Sequence, residues 1–251
     1  MNSLRQNRTA AHTAPFLAFM LLLVPVDWIK IDNPTLPWWR CAPEHWIYPL
    51  QTVVALGLIW YFRKNYTFGP RGVRPMLLGL IVGTAGIAVW VLPSVLFHRW
   101  QVASWPWPDW VKTGLGLVSR SEPGFDPDIF SGNSAAWWTA VLLRFVRMAV
   151  AVPLLEELFW RSFLWRHLAE PNRDFWLVPF GVWNPAAVGL SILAFTLVHH
   201  PSDYLGCLIY GVLISWVALR TRSLAACVVC HAVSNLLLGL YVVQTKQWGF
   251  W

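Results

Sequence analysis

The chain has 251 residues, of which 57% are hydrophobic and 12% charged, against about 25% charged in an ordinary soluble domain. It carries 19 Trp, 4 Cys and a formal net charge of +7. These values exclude a disordered chain, a collagen-like repeat, a disulfide scaffold and a typical soluble enzyme. The basic residues sit between apolar runs. That pattern points to anionic lipid and the positive-inside rule rather than to nucleic acid. The expectation is all-α: a polytopic transmembrane helical bundle with seven or eight spans and Trp at the interfaces.

A spanning helix needs about 20 apolar residues. The first apolar run, 14–26, is short and contains Pro25. Arg5 and Arg8 precede it as in a signal peptide, but no small-residue cleavage site follows, so it reads as a retained span. The next runs are 46–62 and 76–97. A fourth, 137–168, is apolar yet carries Arg144, Arg147, Glu156, Glu157, Arg161 and Arg166. Then come 186–198, 204–219 and 224–243, with 175–180 as a short eighth candidate. The loops between them alternate in charge. Arg63, Lys64, Arg71 and Arg74 make one basic loop; Arg166, His167 and Arg173 a second; Arg220 and Arg222 a third. Residues 98–136 are rich in Trp and Pro and slightly acidic through Asp109, Glu122, Asp126 and Asp128. Positive loops stay in the cytoplasm. The expected topology therefore has a cytoplasmic N-terminus, with 98–136 and 200–203 on the other side. No internal repeat or soluble linker domain is evident. Two segments are expected: N-terminal spans with the long loop (1–136) and a polar-bearing core (137–251).

Ionisable groups inside a span are costly and read as functional by default. Glu156, Glu157, His199, His231 and the amide Asn235 qualify. At about 1.5 Å per residue, Glu156 lies roughly 18 Å from Leu168, His199 roughly 20 Å from Ala186 and Asn235 roughly 16 Å from Leu224, all counted from the cytoplasmic end. Three helices thus bring polar groups close to one mid-membrane level. His231 and Asn235 are four residues apart and share a face, as are Glu157 and Arg161, a pair that can neutralise itself. Glu156 points about 100° away and is the freer carboxylate. A carboxylate in apolar surroundings suits a general base, and an imidazole with a carboxamide suits an oxyanion site. These are the parts of a peptide-bond hydrolase without a Ser or Cys nucleophile.

Three motifs run in order along these spans: Glu156 to Arg161 reads EExxxR, Phe195 to His199 reads FxxxH, and His231 to Asn235 reads HxxxN. Over roughly 137–243 the chain resembles the CAAX prenyl protease and bacteriocin-processing family of intramembrane glutamate proteases. The resemblance implies an endopeptidase in which Glu156 activates water with His199, His231 and Asn235 form the oxyanion site, and Glu157 and Arg161 support them. It implies a metal-free mechanism and a membrane-associated or lipidated protein as substrate, cut near its C-terminus and reaching the site laterally or from the cytoplasmic mouth. The expected location is the bacterial inner (plasma) membrane. Many relatives carry Gly after the motif arginine, where this chain has Ser162, and His200 stands beside His199 as a further neighbour of the site.

Blander readings stand beside these. Glu157–Arg161 reads first as a buried ion pair. His231 and Asn235 could be interhelical glue in a non-catalytic immunity or chaperone-like protein. A proton relay through the same residues would need a polar path to both faces. Arg144 and Arg147 read as snorkelling toward lipid headgroups. Zinc stays open as a cofactor, since His199, His231, Glu156 and Glu157 are permissible ligands, though no HExxH helix is present. Cys227 to His231 matches CxxCH, the attachment signal of c-type haem, but it lies inside a span.

Overall fold

The computed structural model describes residues 2–33, 35–121 and 124–251; Glu122 of the acidic loop lies outside them. The fold is all-α. Seven helices organise it: α1 (Arg8–Ile29), α2 (Glu44–Phe62), α3 (Val73–Arg99), α4 (Ser134–Ala169), α5 (Pro185–Leu197), α6 (Tyr204–Thr221) and α7 (Leu224–Thr245). Each starts where its sequence allows. Asn133, Asn184 and Ser223 cap α4, α5 and α7 by accepting from the backbone N–H three residues on. Arg222 and Lys246 close α6 and α7 in the left-handed conformation.

Five of these helices, α1, α3, α4, the α6 segment and α7, are long and apolar enough to cross a membrane, which makes the chain an integral membrane protein. The count of seven or eight spans is not reached on that measure. α2 has 19 residues but is not among the five. α5 has 13 residues, roughly 20 Å of helix against a hydrocarbon core of about 30 Å. The expected eighth span at 175–180 holds only a three-residue 3₁₀ turn, Phe175–Leu177. Two Pro residues, at 171 and 179, bracket a segment too short for a span.

The two ends of the bundle are distinct. At one end Asn65 donates to the Arg5 carbonyl, and the Ser223 hydroxyl donates to the Pro70 carbonyl. Ten of the chain's Lys and Arg cluster there, with only Glu170 and Asp174 as acids. At the other end Lys30 pairs with Glu44, Lys246 with Asp128 and Arg120 with Asp203. Six Lys and Arg meet seven acids there among the described residues. The Lys246 ammonium and the Trp137 indole N–H both donate to Asp128 and hold its carboxyl below the ordinary carboxylate range. The 98–136 loop is tied down at this end. Arg120 is buried, with its guanidinium donating to the Ser202 carbonyl at 2.8 Å, Asp203 at 2.6 Å and the Gly249 carbonyl at 3.3 Å, and lying 4.6 Å over the Phe250 ring.

α3 and α7 form the closest helix pair. Gly79 and Gly83, spaced as GxxxG, lie against the backbone carbonyls of Ala226 and Cys230. The Ser234 hydroxyl donates across to the Gly83 carbonyl at 2.7 Å. Arg144 and Arg147 do not snorkel. Both are buried on the α2 side of α4. Arg147 donates to Gln51 at 2.9 Å and lies 4.2 Å over Tyr48, while Arg144 is caged by Tyr48, Phe125 and Trp251. Aromatic faces and a buried amide hold these cations because the loop and the C-terminal residues cover their route to the interface.

A Gly83→Ala substitution places its Cβ against the Cys230 carbonyl, a backbone group that cannot turn aside. The expected cost is about 1–3 kcal/mol, read as a lower melting temperature of the purified protein in detergent. Gly57→Ala, where a Cβ meets open space inside α2, serves as the control and is not expected to lower the melting temperature.

Candidate active site

The site begins with irregularities in α4. Residues Arg147–Ala151 and Leu158–Leu164 are π-helical and flank the α-helical turn Val152–Glu157 that carries both glutamates. Such insertions recur at functional sites because they rotate the following residues out of α register. The first has a local cause. The Val152 N–H bonds the Arg147 carbonyl, five residues back. In that register the Met148 carbonyl would need an N–H from residue 153, which is proline and has none. The carbonyl is satisfied from another helix: the Asn235 amide on α7 donates to it at 2.7 Å.

Glu157 is fully buried. One of its oxygens accepts from Arg161 at 3.1 Å and is bonded to His231 Nδ1 at 2.9 Å. The Arg161 guanidinium lies 4.9 Å over the Phe195 ring of α5. The sequence reading paired Glu157 with Arg161 alone; the structure adds His231. A carboxylate accepts, so Nδ1 carries the proton and Nε2 is the free nitrogen of the His231 ring. His199 follows the same logic with a different partner. Its Nδ1 lies 2.7 Å from the Phe195 carbonyl, which can only accept, so Nδ1–H donates and Nε2 bears the lone pair.

Glu156, His199, His231 and Asn235 all line one cavity of about 80 Å³, room for two or three waters at about 30 Å³ each. Glu156 is buried, and its Oε2 has no hydrogen-bond partner among the described residues. Val152, Phe195 and Leu238 supply apolar wall. His200 turns away: its ring bonds Ser202, and it is not part of the lining. Ser162 has work of its own, since its hydroxyl accepts from Arg166 Nη2 at 2.7 Å.

Sequence reasoning assigned no part to the first 136 residues, yet Gly86, Ile87 and Trp90 of α3 line the cavity, with Tyr210 and Ser234 opposite. The available signal was the small-residue spacing of Gly79, Gly83 and Gly86, which marks a helix face meant for close approach. Among the described residues no group of three His, Cys, Asp or Glu is arranged to hold a metal ion. Cys227 and Cys230 are fully buried in the helix core, away from any exposed attachment loop.

The class defined by this fold and site is a helical membrane protein with a paired-glutamate, two-histidine cavity inside the bundle. Residues 137–237 match the family described as Rce1-like: Type II CAAX prenyl endopeptidase Rce1-like. The match covers 101 of the 251 residues, and over that stretch the chain is similar to this family of prenyl endopeptidases. No curated protein and no solved structure matches the chain.

Removing one partner of the buried network leaves a charge without compensation. Glu157→Ala is expected to cost about 3–5 kcal/mol, and Arg161→Ala a similar amount. Thermal unfolding in detergent checks this, and an unchanged melting temperature for both would contradict the network reading.

Proposed function

We propose that the chain is an intramembrane endopeptidase that cleaves a membrane-associated or lipidated protein near its C-terminus. One observation carries the reading: four polar side chains from α4, α7 and the turn after α5 line one water-sized cavity, and Glu156 Oε2 among them has no hydrogen-bond partner.

In this mechanism a water lies between Glu156 and His199. Glu156 accepts its proton as the oxygen attacks the scissile carbonyl carbon, while the His199 Nε2 lone pair orients the water. The carbonyl electrons move onto oxygen, and the oxyanion accepts from Asn235, whose amide has a second N–H beyond the one given to Met148. His231 contributes an Nε2–H only as imidazolium, because Nδ1 already carries a proton. Glu157 supplies the matching negative charge, and Arg161 holds Glu157 in place. Glu157, Arg161 and His231 then sum to +1, the charge that offsets the oxyanion. Collapse of the intermediate breaks the C–N bond. Glu156 returns its proton to the leaving nitrogen, and the products are a carboxylate and an amine.

The orientation proposed is N-terminus cytoplasmic, in a bacterial inner membrane, with the basic end of the bundle inside. α2 and α5 are proposed to be membrane-embedded with the five long helices, α5 as a half-span. The division of labour proposed is a catalytic core in 137–251 and a supporting wall and cap in 1–136.

Glu156→Gln and His199→Ala are each expected to lower kcat by about 10²–10⁴ with the melting temperature unchanged. Asn235→Ala is expected to cost about 10²–10³ in kcat. A peptide or membrane-anchored reporter assayed with purified protein checks both. Normal turnover by folded Glu156→Gln would sink the mechanism.

A further inference from the structure

The cavity is not symmetric between the two ends of the bundle. On α3 the lining passes from buried Gly86 to half-buried Ile87 and Trp90 toward the acidic end. On α4 it passes from buried Glu156 to half-buried Val152, and from Phe195 on α5 to half-buried His199 just beyond it, in the same direction. On α7, His231 and Ser234 are buried and Asn235 is half-buried. Leu238 alone breaks the series, because Trp248 and its neighbours from the C-terminal turn pack over it. Toward the basic end the cavity floor is solid. Glu157, Ile214, Val217, Ala218, Cys227 and Cys230 have no exposed surface there. Below them the Phe68 and Pro70 carbonyls are bonded to the start of α7. Toward the acidic end the cover is the short turn Pro201–Asp203, with Pro201 exposed, held by Arg120 and backed by the loop helix Asp109–Gly114. α5 ends at Leu197 and does not continue as a wall.

We infer that the cavity takes its substrate from the end that carries the 98–136 loop, and that this end is the non-cytoplasmic one. The charge distribution supports the second half: the opposite end holds ten Lys and Arg with two acids, the arrangement that stays in the cytoplasm. The substrate class is then a polypeptide segment already across, or lodged in the outer half of, the membrane. A tail offered from the cytoplasm would meet the packed floor. The word substrate rests on the hydrolase reading above; the direction of access does not.

The test is cysteine accessibility in the full-length protein. Cys41→Ser removes the one cysteine that is not buried. Into that background go Ile87→Cys or Val152→Cys at the cavity rim, with Thr113→Cys and Asn65→Cys as markers of the two ends. A charged, membrane-impermeant thiol reagent is applied to intact spheroplasts and to inside-out vesicles. Both rim cysteines are expected to label in spheroplasts, together with Thr113→Cys, and to lose labelling in inside-out vesicles, where Asn65→Cys labels. Rim labelling together with Asn65→Cys, or none from either side, overturns the direction of access. Thr113→Cys labelling in inside-out vesicles overturns the orientation. Glu156→Gln carried in parallel is expected to leave every labelling pattern unchanged, so loss of the peptidase reading and loss of this inference are separate results.

Discussion

A fully buried carboxylate is among the least favourable things a helix can carry into a bilayer, and Glu157 survives because two donors meet it. Arg161 comes from one turn further along the same helix, and His231 from α7. Arg161 in turn lies on the face of Phe195 in α5. One charge therefore sets the relative register of three helices, since a shift of any of them by a residue would strand it. The same bond fixes the tautomer of His231 and leaves Nε2 as its free nitrogen.

The second organising constraint is the backbone of α4. Pro153 removes an N–H, the helix widens into a π turn, and the Met148 carbonyl is left for Asn235. That bond seats Asn235 beside the cavity. A π-helical segment on the other side of the glutamates completes the distortion. The cost of irregular backbone is met only because α7 lies close, and α7 lies close to the rest of the bundle because Gly79 and Gly83 on α3 admit its carbonyls. The N-terminal segment thus enters the site through packing rather than through any motif.

Within the cavity the two glutamates divide by environment. Adjacent in sequence, they point to different sides of the helix turn, so that one Glu157 oxygen takes both Arg161 and His231, while Glu156, whose Oε2 has no partner, lines a water-sized space. The two histidines divide in the same way. One gives its Nδ1–H to a carbonyl, the other to a carboxylate. Identical side chains acquire different surroundings from the partner on one nitrogen or oxygen.

The sequence by itself determined the helical membrane class, the places of seven helices and four of the residues that line the cavity. Hydrophobic runs and intramembrane charges are local signals; the first and third motifs lie within single helices, and the second ends in the turn just past α5. The length of α5, the π turns and the burial of Arg144 and Arg147 were not legible, because each depends on what a neighbouring helix or loop covers. Nor could the sequence say that His231 would join Glu157, since residues 74 apart meet only through the packing of α4 on α7. Whether an ionisable group is paired, caged or left free is a property of the space around it, and only the tertiary structure creates that space.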